Sequence, residues 1–184
     1  MTRIIAAFNM TLDGFCDHNA VNPDEEIHQH YADLLSQAGA ILYGRTTYQL
    51  MEYWRTLIAN PSGDKSADAF AVMMDRIPKI VFSHTLKSLD WNTARLADKE
   101  LKDEVSALRT QLDKDIFVGS RSLIIQLMNL GLIDELQLMV HPVIAAGGLP
   151  LFENINGRTV LKLSKTKNFG SGAVIHYYRP ADRD

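Results

Sequence analysis

The chain has 184 residues, of which 46% are hydrophobic and 22% charged, enough apolar material for a sizeable core. Its 19 Lys and Arg against 22 Asp and Glu give a formal charge of -3, so we expect no nucleic-acid partner. Cys16 is the only cysteine, which excludes an internal disulfide and a zinc site built from several cysteines. The sequence shows neither a membrane-spanning apolar run nor a signal peptide, so we expect a cytoplasmic protein without a membrane partner.

Strands and helices alternate over the first two thirds of the chain. Apolar runs predict strands at residues 3–8, 40–43, 79–82, 93–96 and 116–118. Helical spacing of apolar residues predicts helices at residues 24–37, 46–57, 66–76, 98–112 and 122–130. Asp24 stands at a helix start and Gly131 just past a helix end, both in favoured positions. This order predicts a parallel sheet with helices packed against it.

The last third of the chain consists mainly of strands. They are predicted at residues 135–140, 160–167 and 173–179, and Gly170-Ser171-Gly172 supplies a hairpin turn for the last two. The predicted fold class is therefore α/β, with a mixed, mainly parallel sheet and an antiparallel hairpin at the end. No linker-like stretch divides the chain, so we expect a single domain over residues 1–184.

Four of the predicted strands are followed by residues suited to a ligand. These are Thr11-Leu12-Asp13-Gly14, Gly44-Arg45-Thr46-Thr47, Ser83-His84-Thr85 and Gly119-Ser120-Arg121-Ser122. Because the carboxyl ends of parallel strands share one edge of a sheet, we expect these clusters to lie together. Two of them bring glycine and arginine to a helix start, where unpaired N–H groups bind phosphate. The pattern fits a ligand with more than one phosphate, such as a dinucleotide.

This pattern differs from the usual dinucleotide fingerprint. No G-x-G-x-x-G follows the first strand and no acidic residue is placed to hold a ribose 2′-hydroxyl, which disfavours a Rossmann domain. Arg45, Ser83, His84 and Lys87 instead offer cationic and hydroxyl groups for a 2′-phosphate. The sequence therefore favours NADPH over NADH as cofactor.

The histidines indicate no metal site. The chain has 6 of them, and none belongs to an H-E-x-x-H motif. His28 and His30 are two residues apart, so on a helix they do not face the same ligand. We expect no bound metal.

The ordered motifs of the chain resemble the dihydrofolate reductase superfamily. These motifs are Thr-Leu-Asp-Gly-Phe after the first strand, Tyr-Gly-Arg-Thr-Thr-Tyr, Phe-Val-Gly-Ser, and residues 131–142 followed by Gly147, Gly148, Leu151 and Phe152. Within the superfamily, the chain is most similar to the reductase domain of bifunctional riboflavin-biosynthesis enzymes (RibD type) and its small stand-alone relatives. The resemblance covers nearly the whole chain.

The resemblance implies a three-layer, dihydrofolate-reductase-like fold and an NADPH-dependent oxidoreductase. Hydride would pass to a small heterocyclic substrate, as in 5-amino-6-(5-phosphoribosylamino)uracil reductase of riboflavin biosynthesis. Transferred by position, the cofactor phosphates would be held by Gly44, Arg45, Thr46 and Thr47, the adenosine end by Ser83 and His84, and the pyrophosphate region by Gly119, Ser120, Arg121, Ser122 and Leu123. Phe82 is also expected to bind the cofactor. The nicotinamide would lie near Ala7, Leu12, Asp13 and Gly14.

The chain departs from the family pattern at two places. Family members commonly carry Gly-Gly after the strand at 116–118, often with a cis peptide bond, where this chain has Gly119-Ser120. Folate reductases place an acidic residue on the first helix, so Asp13, Glu26 and His28 are the candidate catalytic residues for protonation here. A nucleotide- or heterocycle-binding homologue with little turnover and dihydrofolate reductase proper remain as alternatives. Apolar strands in the last third also predict a homodimer.

Overall fold

The computed structural model describes residues 2–181, so residues 1 and 182–184 of the predicted domain lie outside it. The strands are β1 (Ile4–Thr11), β2 (Ala40–Gly44), β3 (Lys79–Phe82), β4 (Ala94–Leu96), β5 (Ile116–Val118), β6 (Glu135–His141), β7 (Leu161–Asn168) and β8 (Val174–Pro180). The helices are α1 (Glu25–Ser36), α2 (Arg45–Met51), α3 (Tyr53–Ala59), α4 (Lys65–Arg76), α5 (Leu101–Gln111) and α6 (Arg121–Asn129).

All eight strands form one sheet in the order β4-β3-β2-β5-β1-β6-β8-β7. Pairing is parallel from β4 through β6, whereas β8 runs antiparallel to both β6 and β7. The predicted α/β class, with a mainly parallel sheet and a C-terminal antiparallel hairpin, is therefore confirmed. Because β1, β2, β3 and β5 are parallel, the residues that follow them emerge at the same edge of the sheet.

Helices cover both faces of the parallel part of the sheet. On the first face, Leu35 of α1, Tyr48 of α2 and Phe70 of α4 pack into one apolar cluster with the sheet. On the second face, Val105 of α5 and Leu127 of α6 pack against β1, β2, β5 and β6 in another cluster. Burial of these two apolar layers is the main force that holds the helices on the sheet.

Two predicted helices differ from the structure. The helix predicted at residues 46–57 is divided at Glu52 into α2 and α3. The Arg55 N–H donates to the Glu52 carbonyl, an i to i+3 bond of 3₁₀ type that tightens the chain at this point. The helix predicted from residue 98 begins only at Leu101, because Glu100 has an extended ψ of 153°.

The helices are short relative to a lipid bilayer. Within residues 2–181 the longest helices, α1 and α4, have 12 residues each, so none could span a membrane.

Candidate functional site

A cleft of about 670 Å³ lies at the carboxyl ends of β2 and β3 and beside the start of α6. It is lined by Gly44, Arg45, Thr46 and Thr47 after β2, by Phe82, Ser83, His84 and Thr85 at the end of β3, by Ala97, Asp98, Lys99, Glu100 and Leu101 before and at the start of α5, and by Ser122, Leu123 and Gln126 of α6. This volume is in the range of cofactor sites. The structure thus brings together three of the four clusters that follow predicted strands.

Close backbone packing joins the ends of β2 and β5 beneath this cleft. The Gly44 N–H donates to Ser120 Oγ at 2.8 Å, which ties the start of α2 to the start of α6. A Cβ atom at Gly44 would lie 3.2 Å from Ser122 Oγ, and one at Gly119 would lie 2.8 Å from a ring carbon of Tyr43. Glycine at both positions therefore allows the two strand ends to approach each other.

The helix starts at the cleft have free backbone donors. Within residues 2–181, neither α2, which begins after Gly44, nor α6, which begins after Ser120, has a side chain that caps its N-terminus. By contrast, Asp24 caps α1 and Asp64 caps α4, both outside the cleft lining. The first N–H groups of α2 and α6 are therefore left for a ligand, and the helix dipole favours an anion there.

Arg45 adds a positive charge to these donors. Its Nη1 donates to Thr85 Oγ1 at 2.9 Å, which connects the loops after β2 and β3. Ser83 Oγ accepts the N–H of Thr85 at 3.2 Å and of Leu86 at 3.0 Å, so the loop after β3 is folded onto its own backbone. The Arg45 side chain is exposed at the cleft, where the planar guanidinium suits phosphate oxygens.

Other predicted cofactor residues lie outside the cleft lining. Ser120 is buried as the partner of Gly44. Arg121 donates through Nε to the Pro150 carbonyl at 2.6 Å and pairs with Glu153 at 2.7 Å, which anchors the segment after β6 on α6. Ala7, Leu12, Gly14 and Gly119 also lie outside the lining, three of them at or just beyond β1.

Asp13 holds two loops together at the carboxyl end of β1. Its carboxylate accepts the Thr11 hydroxyl at 2.6 Å and the N–H groups of Ala145 and Ala146 at 3.1 and 2.8 Å. These hydrogen bonds, with that from Thr11 the strongest, lower the pKa of Asp13. Gly14 follows with a φ of 90°, a conformation that glycine adopts easily in such a turn. Asp13 is therefore a carboxylate near neutral pH and is engaged in loop contacts.

Glu26 and His28, on α1, point to different surroundings. Glu26 Oε2 accepts the Gly170 N–H at 2.8 Å and so fixes the turn between β7 and β8. The His28 ring packs against Trp54 and Phe70, with ring centroids 5.6 and 6.1 Å away. Burial lowers the pKa of His28, so its imidazole is mainly neutral at pH 7.

The structure reveals a polar group between β1, β6 and α1 that the sequence had not indicated. Asn9 Oδ1 lies 3.2 Å from the Tyr31 hydroxyl and 3.0 Å from His141 Nε2. Burial raises the pKa of Tyr31 and lowers the pKa of His141, so both side chains are neutral at pH 7. The only sequence signal was the position of Asn9 and His141 at the carboxyl ends of two strands.

Residues before α5 are a second group that sequence reasoning missed. Asp98, Lys99 and Glu100 line the cleft because β4 pairs in parallel with β3 and ends at the same edge. The sequence signal was the short strand predicted at 93–96, which ends just before these residues. Lys99 adds a second cation to the cleft, whereas Asp98 and Glu100 add two carboxyl groups to its lining.

Two further expectations concern metal binding and the peptide after β5. Among residues 2–181, no group of three or more His, Cys, Asp or Glu side chains could hold a metal ion. The Gly119–Ser120 peptide bond is trans, as is every peptide bond in that range.

Comparison with known proteins establishes the family. The family model of the RibD C-terminal domain matches residues 2–175. The chain belongs to the RibD C-terminal domain family. It is similar to the uncharacterized protein YyaP of Bacillus subtilis (strain 168), with 35% identity over 185 residues that cover 96% of this chain and 94% of YyaP. It also resembles the uncharacterized protein YwjB of that organism, with 25% identity over 81% of this chain and 78% of YwjB.

Similar solved structures confirm the dihydrofolate-reductase-like fold. A putative riboflavin biosynthesis protein from Shewanella sp. PV-4 superimposes with a TM-score of 0.74 at 18% identity, covering 99% of this chain and 100% of that chain. The diaminohydroxyphosphoribosylaminopyrimidine deaminase/5-amino-6-(5-phosphoribosylamino)uracil reductase from Thermotoga maritima gives a TM-score of 0.66 at 14% identity, covering 98% of this chain and 57% of that chain. The present chain therefore matches a little over half of the bifunctional protein.

Proposed function

We propose that this RibD C-terminal domain protein is an NADPH-dependent reductase that transfers hydride to a small heterocyclic substrate. The observation that carries the proposal is the cleft at the strand ends, where the uncapped starts of α2 and α6 meet Arg45. Free N–H groups and a guanidinium are the donors that bind the phosphates of a dinucleotide. The Thermotoga relative, named as a uracil reductase, supports an aminopyrimidine ribose phosphate as the substrate class.

In this proposal the cofactor phosphates bind to the chain's own backbone and hydroxyl groups. The N–H groups of Thr46 and Thr47 and those of Ser122 and Leu123 would hold the pyrophosphate. Arg45 would bind the 2′-phosphate that distinguishes NADPH from NADH. When bound, NADPH supplies the hydride, and the protein's task is to position the two reactants.

The first test is equilibrium titration of the protein with NADPH and NADH. A hydrogen bond between charged groups contributes about 1.5–3 kcal/mol, so Arg45→Ala should weaken NADPH binding about 10- to 100-fold and NADH binding far less. Arg55→Ala is the matched control, since Arg55 lies on α3 outside the cleft lining. Equal losses for both cofactors would show that Arg45 does not bind the 2′-phosphate. No binding of NADPH at millimolar concentration would refute the proposed function.

A second candidate is a homologue that binds a nucleotide or heterocycle without turnover. It is favoured by the surroundings of the three candidate proton donors. Asp13 and Glu26 accept hydrogen bonds from other loops, and His28 is mainly neutral at pH 7. Incubation with NADPH and a panel of pteridines and aminopyrimidines separates the two candidates. Sustained loss of NADPH absorbance supports the reductase, whereas binding without oxidation across the panel supports the second candidate.

A further inference from the structure

A second cavity lies at the edge of the sheet opposite the cleft. Its volume is about 450 Å³, and it is bordered by the amino ends of β1, β5 and β6, by the end of α1 and by residues of β7 and β8. Ile5 and Phe117 put it on the first face of the sheet, since both belong to the apolar cluster there. It shares no lining residue with the cleft, and a cavity of this size admits a small organic ligand.

The pairing of the strands sets the composition of the cavity wall. Ile5 of β1 pairs with Glu135 of β6. Two residues along β6, Gln137 pairs with Tyr177 of β8, which pairs in turn with Lys165 of β7. Because side chains alternate along a strand, Glu135 and Gln137 share this face with Ile5. The wall therefore changes from apolar at β1 to polar at β6 and cationic at β7.

The polar part of the wall contains an acceptor without a partner. Glu135 and Gln137 are only 7% and 5% exposed. Glu135 Oε1 accepts a hydrogen bond from Gln137 Nε2 at 2.7 Å, and Glu135 Oε2 lies 3.3 Å from Arg3 Nη1. A carboxylate only accepts, so the Gln137 nitrogen must face Glu135. Within residues 2–181, the buried Gln137 Oε1 atom has no hydrogen-bond partner. An unpaired buried acceptor costs free energy, which a ligand that donates an N–H group would recover.

Two cations at the cavity are available for an anion. Arg3 is already paired, with Asp115 through Nε at 3.0 Å and with Glu135 through Nη1. Lys165 forms no ion pair in the part of the chain that the structure describes. Arg179 lies 3.9 Å from Glu135, and its side chain is 62% exposed. Lys165 and Arg179 therefore give this side of the cavity a positive charge.

We propose that this cavity binds a small single-ring anion that carries an amino or ring N–H group. The ring packs on Ile5 and Phe117, and the N–H group donates to Gln137 Oε1. A carboxylate or phosphate on the ring binds Lys165 and Arg179. Gln137 and Lys165 are two strands apart, so their backbones are about 10 Å from each other, and the two side chains shorten this gap to the length of one substituted ring. The site is independent of the function proposed for the cleft.

Isothermal titration calorimetry with two pairs of single-ring compounds tests the site. 4-Aminobenzoate is compared with benzoate, and 4-aminophenyl phosphate with phenyl phosphate, so each pair differs only in the amino group. At least one amino compound should bind with a Kd below about 1 mM. It should bind at least about five times more tightly than the compound without the amino group. The pair that binds more tightly shows whether the anion is a carboxylate or a phosphate.

Two variants locate the bound compound. Gln137→Leu should weaken the amino compound about tenfold and leave its partner without the amino group unchanged, a difference that damage to the fold would not produce. Lys165→Ala should weaken both compounds about two- to fivefold. Lys167→Ala is the matched control, because Lys167 also lies over an aromatic ring, that of Phe169, but outside the cavity lining. Circular dichroism checks folding, and the exposed position of Lys165 lets that variant decide if Gln137→Leu does not fold.

Any of four results would refute this site. Neither amino compound binds at about 10 mM, or both compounds of each pair bind equally well. The third is an unchanged affinity in both variants, or a loss in Lys167→Ala as large as in Lys165→Ala. The fourth is displacement of the compound by NADPH, which would place it in the cleft. If NADPH itself does not bind, only the function proposed for the cleft is refuted.

Discussion

Replacing Lys79 by methionine should change how the stability of this protein depends on pH. Lys79 is the first residue of β3, and its side chain is fully buried. Its Nζ donates to the Ile77 carbonyl at 2.9 Å, to Thr93 Oγ1 at 2.8 Å and more weakly to the Asp75 carbonyl at 3.4 Å. It also lies 3.9 Å from the centre of the Trp91 ring. These contacts favour the ammonium form, but no carboxylate accepts from it among the described residues.

Burial is the larger effect and lowers the pKa of Lys79 from 10.5 to about 7. Between these pH values the unfolded chain holds a proton that the native chain has released, so the free energy of unfolding increases as pH rises. The slope approaches about 1.4 kcal/mol per pH unit, and from pH 8 to pH 10 this group alone contributes on the order of 2 kcal/mol. Methionine keeps the apolar stem and does not titrate, so Lys79→Met should lack this increase.

The assay is urea unfolding at pH 8, 9 and 10, followed by circular dichroism, for the wild type and for Lys79→Met. The difference in unfolding free energy between them isolates Lys79, since the other titrating groups are shared. Lys102→Met, at an exposed position of α5, shows the effect of the same substitution on the surface. A wild-type minus Lys79→Met difference that stays constant within about 0.5 kcal/mol would refute the reasoning.

Three further predictions concern packing, thiol reactivity and a helix cap. Gly119→Ala places a methyl group 2.8 Å from a Tyr43 ring carbon and should lower the free energy of unfolding by about 1–3 kcal/mol. The same substitution in a Tyr43→Val background should lower it by much less. Equal losses in the two backgrounds would contradict the packing account. Burial raises the pKa of Cys16 to about 11, so iodoacetamide at pH 8 should alkylate the native protein about 100-fold more slowly than the urea-unfolded chain, and similar rates would disprove this. Asp64→Ala removes the cap that accepts the N–H groups of Ser66 and Ala67 and should lower the unfolding free energy by about 1 kcal/mol, while Asp103→Ala on α5 serves as the control.

The predicted cofactor residues show where sequence reasoning succeeds and where it ends. Gly44 and Arg45 were identified because a strand, a glycine and a helix start follow one another in the chain. A pattern of this kind involves only neighbouring residues, so the sequence shows it directly. Arg121 came from the same kind of pattern, yet its guanidinium binds Pro150 and Glu153, about 30 residues further on. The residues next to Arg121 in the sequence therefore could not indicate these two partners.

The sequence by itself determined the kinds of element and the polar residues that follow each strand, because periodicity, turn residues and helix caps act over a few neighbouring positions. Only the tertiary structure decided which of these residues meet. Inserting β5 between β1 and β2 places Ser120 against Gly44, 76 residues away, and so forms the floor of the cleft. The same long-range packing ties Asp13 to Ala146 and leaves β7 exposed after Leu161. These outcomes depend on the free energy gained when apolar residues that are distant in the sequence are buried together. A local sequence pattern does not indicate which of those residues will pack against each other.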